Sequence, residues 1–156
     1  NIEWAVERHT KADIAKMRSI IQQAEEAGDD LSKFFSCDVD FHMAIVEAGR
    51  NDMAKIVHQV ISHLIFDIIS RAFMNLTDKE RDELLRDIIS MHYSMLDAIE
   101  KRNAEKARQL VNTHLSRFMH FMDGEILTIK WYTEPMSGEP FILLINKRFF
   151  YVDCGF

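Results

Sequence analysis

The sequence predicts an all-α protein: an antiparallel bundle of about six helices, followed by a C-terminal β-like tail. Three observations predict it. Residues 1–123 contain no proline and two glycines, Gly28 and Gly49, whereas residues 124–156 hold both prolines and three glycines. Apolar residues in the first stretch recur every three or four positions, the period of a helix with one buried face. Good N-cap residues stand just ahead of these periodic runs.

The elements follow in order. Asn1 to His9 reads as the end of a first helix. Thr10 caps a second, running to about Gly28, with Ile14, Met17, Ile20, Ile21 and Ala24 along one side and Gly28 as its C′ residue. Asp29 or Asp30 caps a third, carrying Leu31, Phe34, Phe35, Phe41, Ala44, Ile45 and Ala48, which Gly49 ends. Asn51 caps a fourth through about Met74. Thr77-Asp78-Lys79-Glu80 has the form of a capping box, in which Thr77 accepts from the Glu80 amide while Glu80 reaches back, and opens a fifth helix to about Lys101. Asn103 caps the last, through about Met122. Short turns between long helices make neighbours antiparallel. Met53, Met74, Met91, Met95 and Met119 read as core fillers, and Cys37 as packing.

Residues 124–156 form the tail, with seven of the sixteen aromatics. Ile126 to Thr133, Phe141 to Ile145 and Phe149 to Val152 read as strand, and Pro135 to Pro140 as turn. The tail is expected to be a β-hairpin extension of the helical domain 1–123, of unknown role.

Charge and composition exclude some partners. The net charge is −6, which argues against this segment gripping nucleic acid or an anionic membrane by itself. No apolar run approaches the ~20 residues of a membrane-spanning helix, and two cysteines suit a reducing compartment, so a cytoplasmic location is expected.

Seven histidines are many for 156 residues. Asp38 and His42 are four apart, which places them on one helix face, one turn apart. His92 and His114 sit on consecutive helices, each eleven residues from Asn103, so an antiparallel hairpin holds them at the same height. Singly, each is an ordinary surface or core residue. Together they bring one carboxylate and three imidazoles to one interior, a ligand set suited to Zn²⁺, Ni²⁺, Fe²⁺ or Mn²⁺. His58 and His63 diverge on their helix, His120 points elsewhere and His9 lies near a helix end. These four read as structural or surface positions.

The segment Cys37-Asp38-Val39-Asp40-Phe41-His42 through Ala48-Gly49-Arg50-Asn51 resembles the D-x-x-F-H segment of the FCD domain, the effector-binding half of FadR-type regulators in the GntR family of bacterial transcription factors. His92 to Ile99 and Ala107 to Leu115 are similar to two further motifs of that domain, with the two histidines 22 positions apart, and Glu3 to Lys16 to its opening helix and turn. The resemblance covers about residues 1–122 and implies a dimerising helical bundle. It also implies that Asp38, His42, His92 and His114 hold a divalent transition metal. It further implies a small organic acid effector, of the hydroxy acid or sugar acid class, bound at open metal positions. Arg71 is the candidate for holding the far end of that acid. DNA is expected to be engaged only through a winged-helix domain that this chain does not contain. The tail has no counterpart in the family.

Two functions compete with sensing. A metal-dependent hydrolase could use the same site to activate water, but no general base stands near the motif: Glu47 and Asp40 both diverge from it on the helix. A structural dimer would bind nothing. The sensing, non-enzymatic reading is the one the residues favour.

Overall fold

Each predicted helix forms, and its caps are the residues that the sequence nominates. The computed structural model describes residues 2–73, 76–123, 142–145 and 148–151, the last two segments and parts of α4 and α6 by backbone alone. The helices are α1 (Ile2–Arg8), α2 (Lys11–Glu25), α3 (Leu31–Ala48), α4 (Asp52–Phe73), α5 (Asp78–Glu100) and α6 (Ala104–Asp123).

Thr10 caps α2 with a full capping box to Asp13, and Thr77 caps α5 with one to Glu80. Asp30, rather than Asp29, caps α3 through the Lys33 amide. Asn51 accepts from the Ala54 amide and Asn103 from the Lys106 amide, each at the start of its helix. These bonds satisfy amides that a helix start would otherwise leave unpaired.

Helix α3 ends at Gly49, as expected. Gly49 is still helical (φ −71°), and Arg50 takes the left-handed conformation at φ 54°. Glycine at 49 eases the close approach of α1: a Cβ there would stand 3.3 Å from the Trp4 Cβ and 3.2 Å from the Val46 carbonyl oxygen, tight contacts that neighbours would have to yield to. Arg50 offsets its strained backbone by donating to the Glu47 carbonyl oxygen at 2.8 Å and to Asp13 at 2.6 Å. Arg102 (φ 55°) makes the same kind of turn between α5 and α6. Its guanidinium donates to the carbonyl oxygens of Val6 and Glu7 at 2.7 Å each and of His9 at 3.3 Å, closing the end of α1.

Residues 1–116 form one compact unit and 117–156 another. The core of the first draws on Ile2, Ala5 and Val6 of α1, the α2 stripe, Phe41 to Ala48 of α3, Met95 to Ile99 of α5, and Ala107 of α6. Phe41, Met17, Met95 and Ile99 are fully buried there. Met53 departs from the expectation: it is 68% exposed and fills no core. Helix α4 is apolar on two sides, and the side facing α3 carries Ser62, Ile69 and Phe73 instead.

In the second unit, β1 (Ile142–Ile145) and β2 (Arg148–Tyr151) pair antiparallel with Ile142 opposite Tyr151 and Ile145 opposite Arg148. These lie where the sequence reading puts its second and third strand segments. The segments Ile126 to Thr133 and Pro135 to Pro140 lie outside the described residues.

Candidate metal centre

Helical periodicity sets four ionisable groups in or beside the core. On α5 the buried stripe runs His92, Met95, Leu96, Ile99, so His92 takes a place that the period reserves for an apolar side chain. On α6, His114 continues the row of Ala107, Leu110 and Val111. On α3, Asp38 and His42 border the stripe of Phe34, Cys37, Phe41 and Ile45. Burying such groups is costly unless each finds a partner.

The partners are one another. One donor atom from each of Asp38, His42, His92 and His114 lies within 4.8 Å of all the others. The ring centroids of His42, His92 and His114 are 5.1–5.2 Å apart in every pairing. Phe41 backs the group, stacked on His92 with centroids 4.4 Å apart. The Asp38 Oδ1 is 3.4 Å from the His92 Nε2. His92 is 2% exposed, and its Nε2 makes no hydrogen bond.

Burial dominates the titration of these groups. It pushes the Asp38 carboxyl up to about 6, against a partial pull downward from His114. It lowers His42 to about 4, with repulsion from His58 adding to the effect. It also takes His92 well below the ordinary imidazole range, helped by the neighbouring His42 and His114. At neutral pH, therefore, Asp38 is anionic while His42 and His92 are neutral, the protonation state that a metal requires of its ligands.

The residue set fits a divalent cation. A buried, unpartnered ring nitrogen faces a carboxylate across 3.4 Å, and two further rings complete the cage. Ligand atoms sharing one ion with bonds of ~2.1 Å stand ~3–4 Å apart, so side-chain adjustments of under about 1 Å would close the set. Such an ion would act as a Lewis acid that accepts carboxylate oxygens of a ligand.

The shifts predict the acid limit of metal binding. As pH falls through about 6, Asp38 takes up a proton and competes with the cation; His42 follows only near 4. Between pH 7 and 5, Asp38 should weaken Zn²⁺ affinity by about tenfold, and His42 and His92 should add almost nothing. Chelator competition at the two pH values measures this. A loss near 10⁴-fold, the value for three ordinary imidazoles, would contradict it.

The sequence reading passes over His58. On α4 it is partly buried, its Nδ1 lies 2.9 Å from the Ser62 hydroxyl, and it is near enough to His42 to repel a proton there. The signal was available: His42 and His58 are both eight residues from Arg50. His9 is structural as expected, with its Nδ1 2.9 Å from the Ala5 carbonyl oxygen. The side chains of His63, Arg71 and His120 lie outside the described residues. Asn51 is an N-cap, and Cys37 is buried with its thiol pushed up by burial.

The sequence profile described as "FCD domain" matches residues 1–117, three quarters of the chain. The chain belongs to the FCD-domain family. Among curated relatives, this FCD domain is 27% identical over 115 residues to the HTH-type transcriptional repressor NanR of Citrobacter rodentium, covering 74% of this chain and 43% of that protein. It is 26% identical over the same length to NanR of Salmonella newport, again covering 43% of the relative. The FCD domain thus spans under half the length of these relatives. Among solved structures it shares the fold of E. coli McbR/YncC, with TM-score 0.65 at 14% identity, over 76% of this chain and 58% of that one. The all-α bundle and the GntR-type family expected from the motifs are both borne out.

Proposed function

We propose that this FCD domain is the effector-sensing part of a GntR-type transcription regulator, and that it binds a small organic acid at a divalent cation held by Asp38, His42, His92 and His114. The observation that carries this reading is the cage itself: four donor atoms within 4.8 Å, one of them a buried nitrogen with no hydrogen bond. The relatives' description as transcriptional repressors supports a regulatory role over a metal-dependent hydrolase. So does the engagement of Glu47, whose carboxylate pairs with Lys16 at 2.7 Å and Lys55 at 3.0 Å instead of serving as a base.

The chain's own residues would divide the work. The Asp38 charge balances half of the cation's, and the neutral imidazoles of His42 and His92 bind it without repulsion. Phe41 fixes the plane of the His92 ring and keeps water from its face. Arg71 is proposed to hold the far end of the acid. DNA would be engaged through a winged-helix domain elsewhere in the regulator.

Titrating the Zn²⁺-loaded protein calorimetrically with a panel of hydroxy and sugar acids tests the reading. Micromolar binding of at least one acid is expected. Less than ~0.2 metal per chain after loading, or binding of none of the acids, would overturn it.

A homodimer is part of the proposal. Met53, Ile56, Val57, Val60 and Ile61 form an exposed apolar stripe on α4 at helical spacing. A second copy can cover such a stripe symmetrically. Light scattering should give a dimer, and Val60→Asp should shift it to monomer. A monomeric parent protein would remove this part of the reading.

A further inference from the structure

Helix α1 is too short to stand alone. Its seven residues fall well below the ~12–15 at which isolated helices begin to persist in water. It is ordered because Ile2, Ala5 and Val6 are buried in the core, and because its end is hydrogen-bonded on two sides. On one side is α3: the Arg8 guanidinium donates to the Gly49 carbonyl oxygen at 2.8 Å, and the Trp4 Cβ lies against Gly49. On the other is the turn between α5 and α6, where Arg102 donates to the carbonyl oxygens of Val6 and Glu7 at 2.7 Å and of His9 at 3.3 Å.

The same two sides divide the cage. Helix α3 supplies Asp38 and His42, while α5 and α6 supply His92 and His114. A cation shared by all four would hold α3 and the α5–α6 pair at one spacing, and α1 needs one spacing to make both sets of bonds. Neither anchor touches the cage. Arg102 is ten residues beyond His92, about 15 Å along the helix axis, and Gly49 is seven beyond His42, about 10 Å. The helices themselves span these gaps as stiff rods.

We propose that α1 is a conformational output of the cage: a cation bound by Asp38, His42, His92 and His114 stabilises docked α1, and Arg8 and Arg102 couple the two. The proposal rests on the reading that these four residues hold a cation. It requires two states, α1 docked and α1 detached, with greater cation affinity in the docked one. Coupling is reciprocal, so docked α1 raises cation affinity by the factor by which the cation favours docking. Glu3, Glu7 and Arg8 are exposed on α1, so occupancy of a buried site is felt at the surface.

Hydrogen exchange, read by mass spectrometry on the full chain at rising free Zn²⁺, tests this. In the metal-free parent protein the α1 amides should exchange faster than those of Met95 to Ile99, through local opening. Zn²⁺ should slow them about tenfold, and the slowing should level off once the site is saturated, because a local opening leaves the ion bound. Arg102→Gly removes the guanidinium and keeps the turn, since φ 55° suits glycine. It should cut the slowing to below about threefold and weaken Zn²⁺ affinity, measured by chelator competition; Arg8→Ala should act in the same direction from the α3 side. Zn²⁺ without effect on α1 exchange would overturn the proposal, with no variant needed. So would slowing of α1 that keeps rising with free Zn²⁺ in step with Met95 to Ile99, the mark of an α1 that opens only when the whole domain unfolds and expels the ion. A glycine variant with the parent's slowing and affinity would overturn it too; in all three cases the metal site stands. Failure of the parent protein to take up Zn²⁺ would instead overturn the reading beneath it.

Discussion

Replacing His92 with leucine should make the metal-free protein more stable and the metal-loaded protein less so. His92 is 2% exposed and its Nε2 has no hydrogen-bond partner. A leucine of similar volume can occupy the place against Phe41 and removes that unpaired nitrogen. Relief of a buried unsatisfied group is worth about 1–3 kcal/mol, which for a domain of this size raises Tm by several degrees. The cost falls on the ion. Structural Zn²⁺ sites bind with about 10–16 kcal/mol, so one of four ligands carries ~2.5–4 kcal/mol, and affinity should fall roughly 10²–10³-fold. Melting curves with and without Zn²⁺ should therefore cross: parent below variant when metal-free, parent above variant when loaded. Equal stabilisation of both proteins by Zn²⁺ would show that His92 is no ligand.

Phe41→Ala should have the largest effect on the fold itself. Its ring is fully buried, stacked on His92 at 4.4 Å and edge-on to His42 at 5.6 Å. Removing a buried phenylalanine costs about 3–5 kcal/mol, through lost transfer energy and the cavity left behind. The site should suffer as well, because the ring is the backstop that holds two imidazoles in place; Phe41→Leu, which refills much of the space, should recover most of both losses. Urea titration of the metal-free variants measures the first effect, and chelator competition the second. A loss below about 1 kcal/mol in Phe41→Ala would show that the core closes without this ring.

Most of the architecture is legible because it is written in local chemistry. The Thr10, Asn51, Thr77 and Asn103 caps are each a side-chain oxygen satisfying an amide three residues on, a pattern that needs no tertiary information. The pairing of His92 with His114 follows from counting outward from one turn. The same count about Arg50 finds His58, but a comparison of His58 with His63 on its own helix conceals it, since that comparison asks about one helix and the answer lies across two. Met53 was misplaced for a related reason. Helix α4 offers apolar residues on more than one side, so periodicity alone does not say which side meets α3; the ring contacts of Phe35 with Phe66 and Phe73 decide it. The end of α3 at Gly49 was legible, but not the left-handed turn of Arg50 after it, whose side chain supplies compensating bonds that a backbone rule does not anticipate.

The clasp of Arg102 on the last carbonyl oxygens of α1 has a mechanical meaning. Arg102 belongs to the bend joining the two helices that carry His92 and His114, so whatever re-angles that pair pulls on the tail of α1 through three bonds to one guanidinium. A rigid latch of this kind leaves little slack: α1 travels with the bend or the latch must open, at the expense of several charge-assisted contacts.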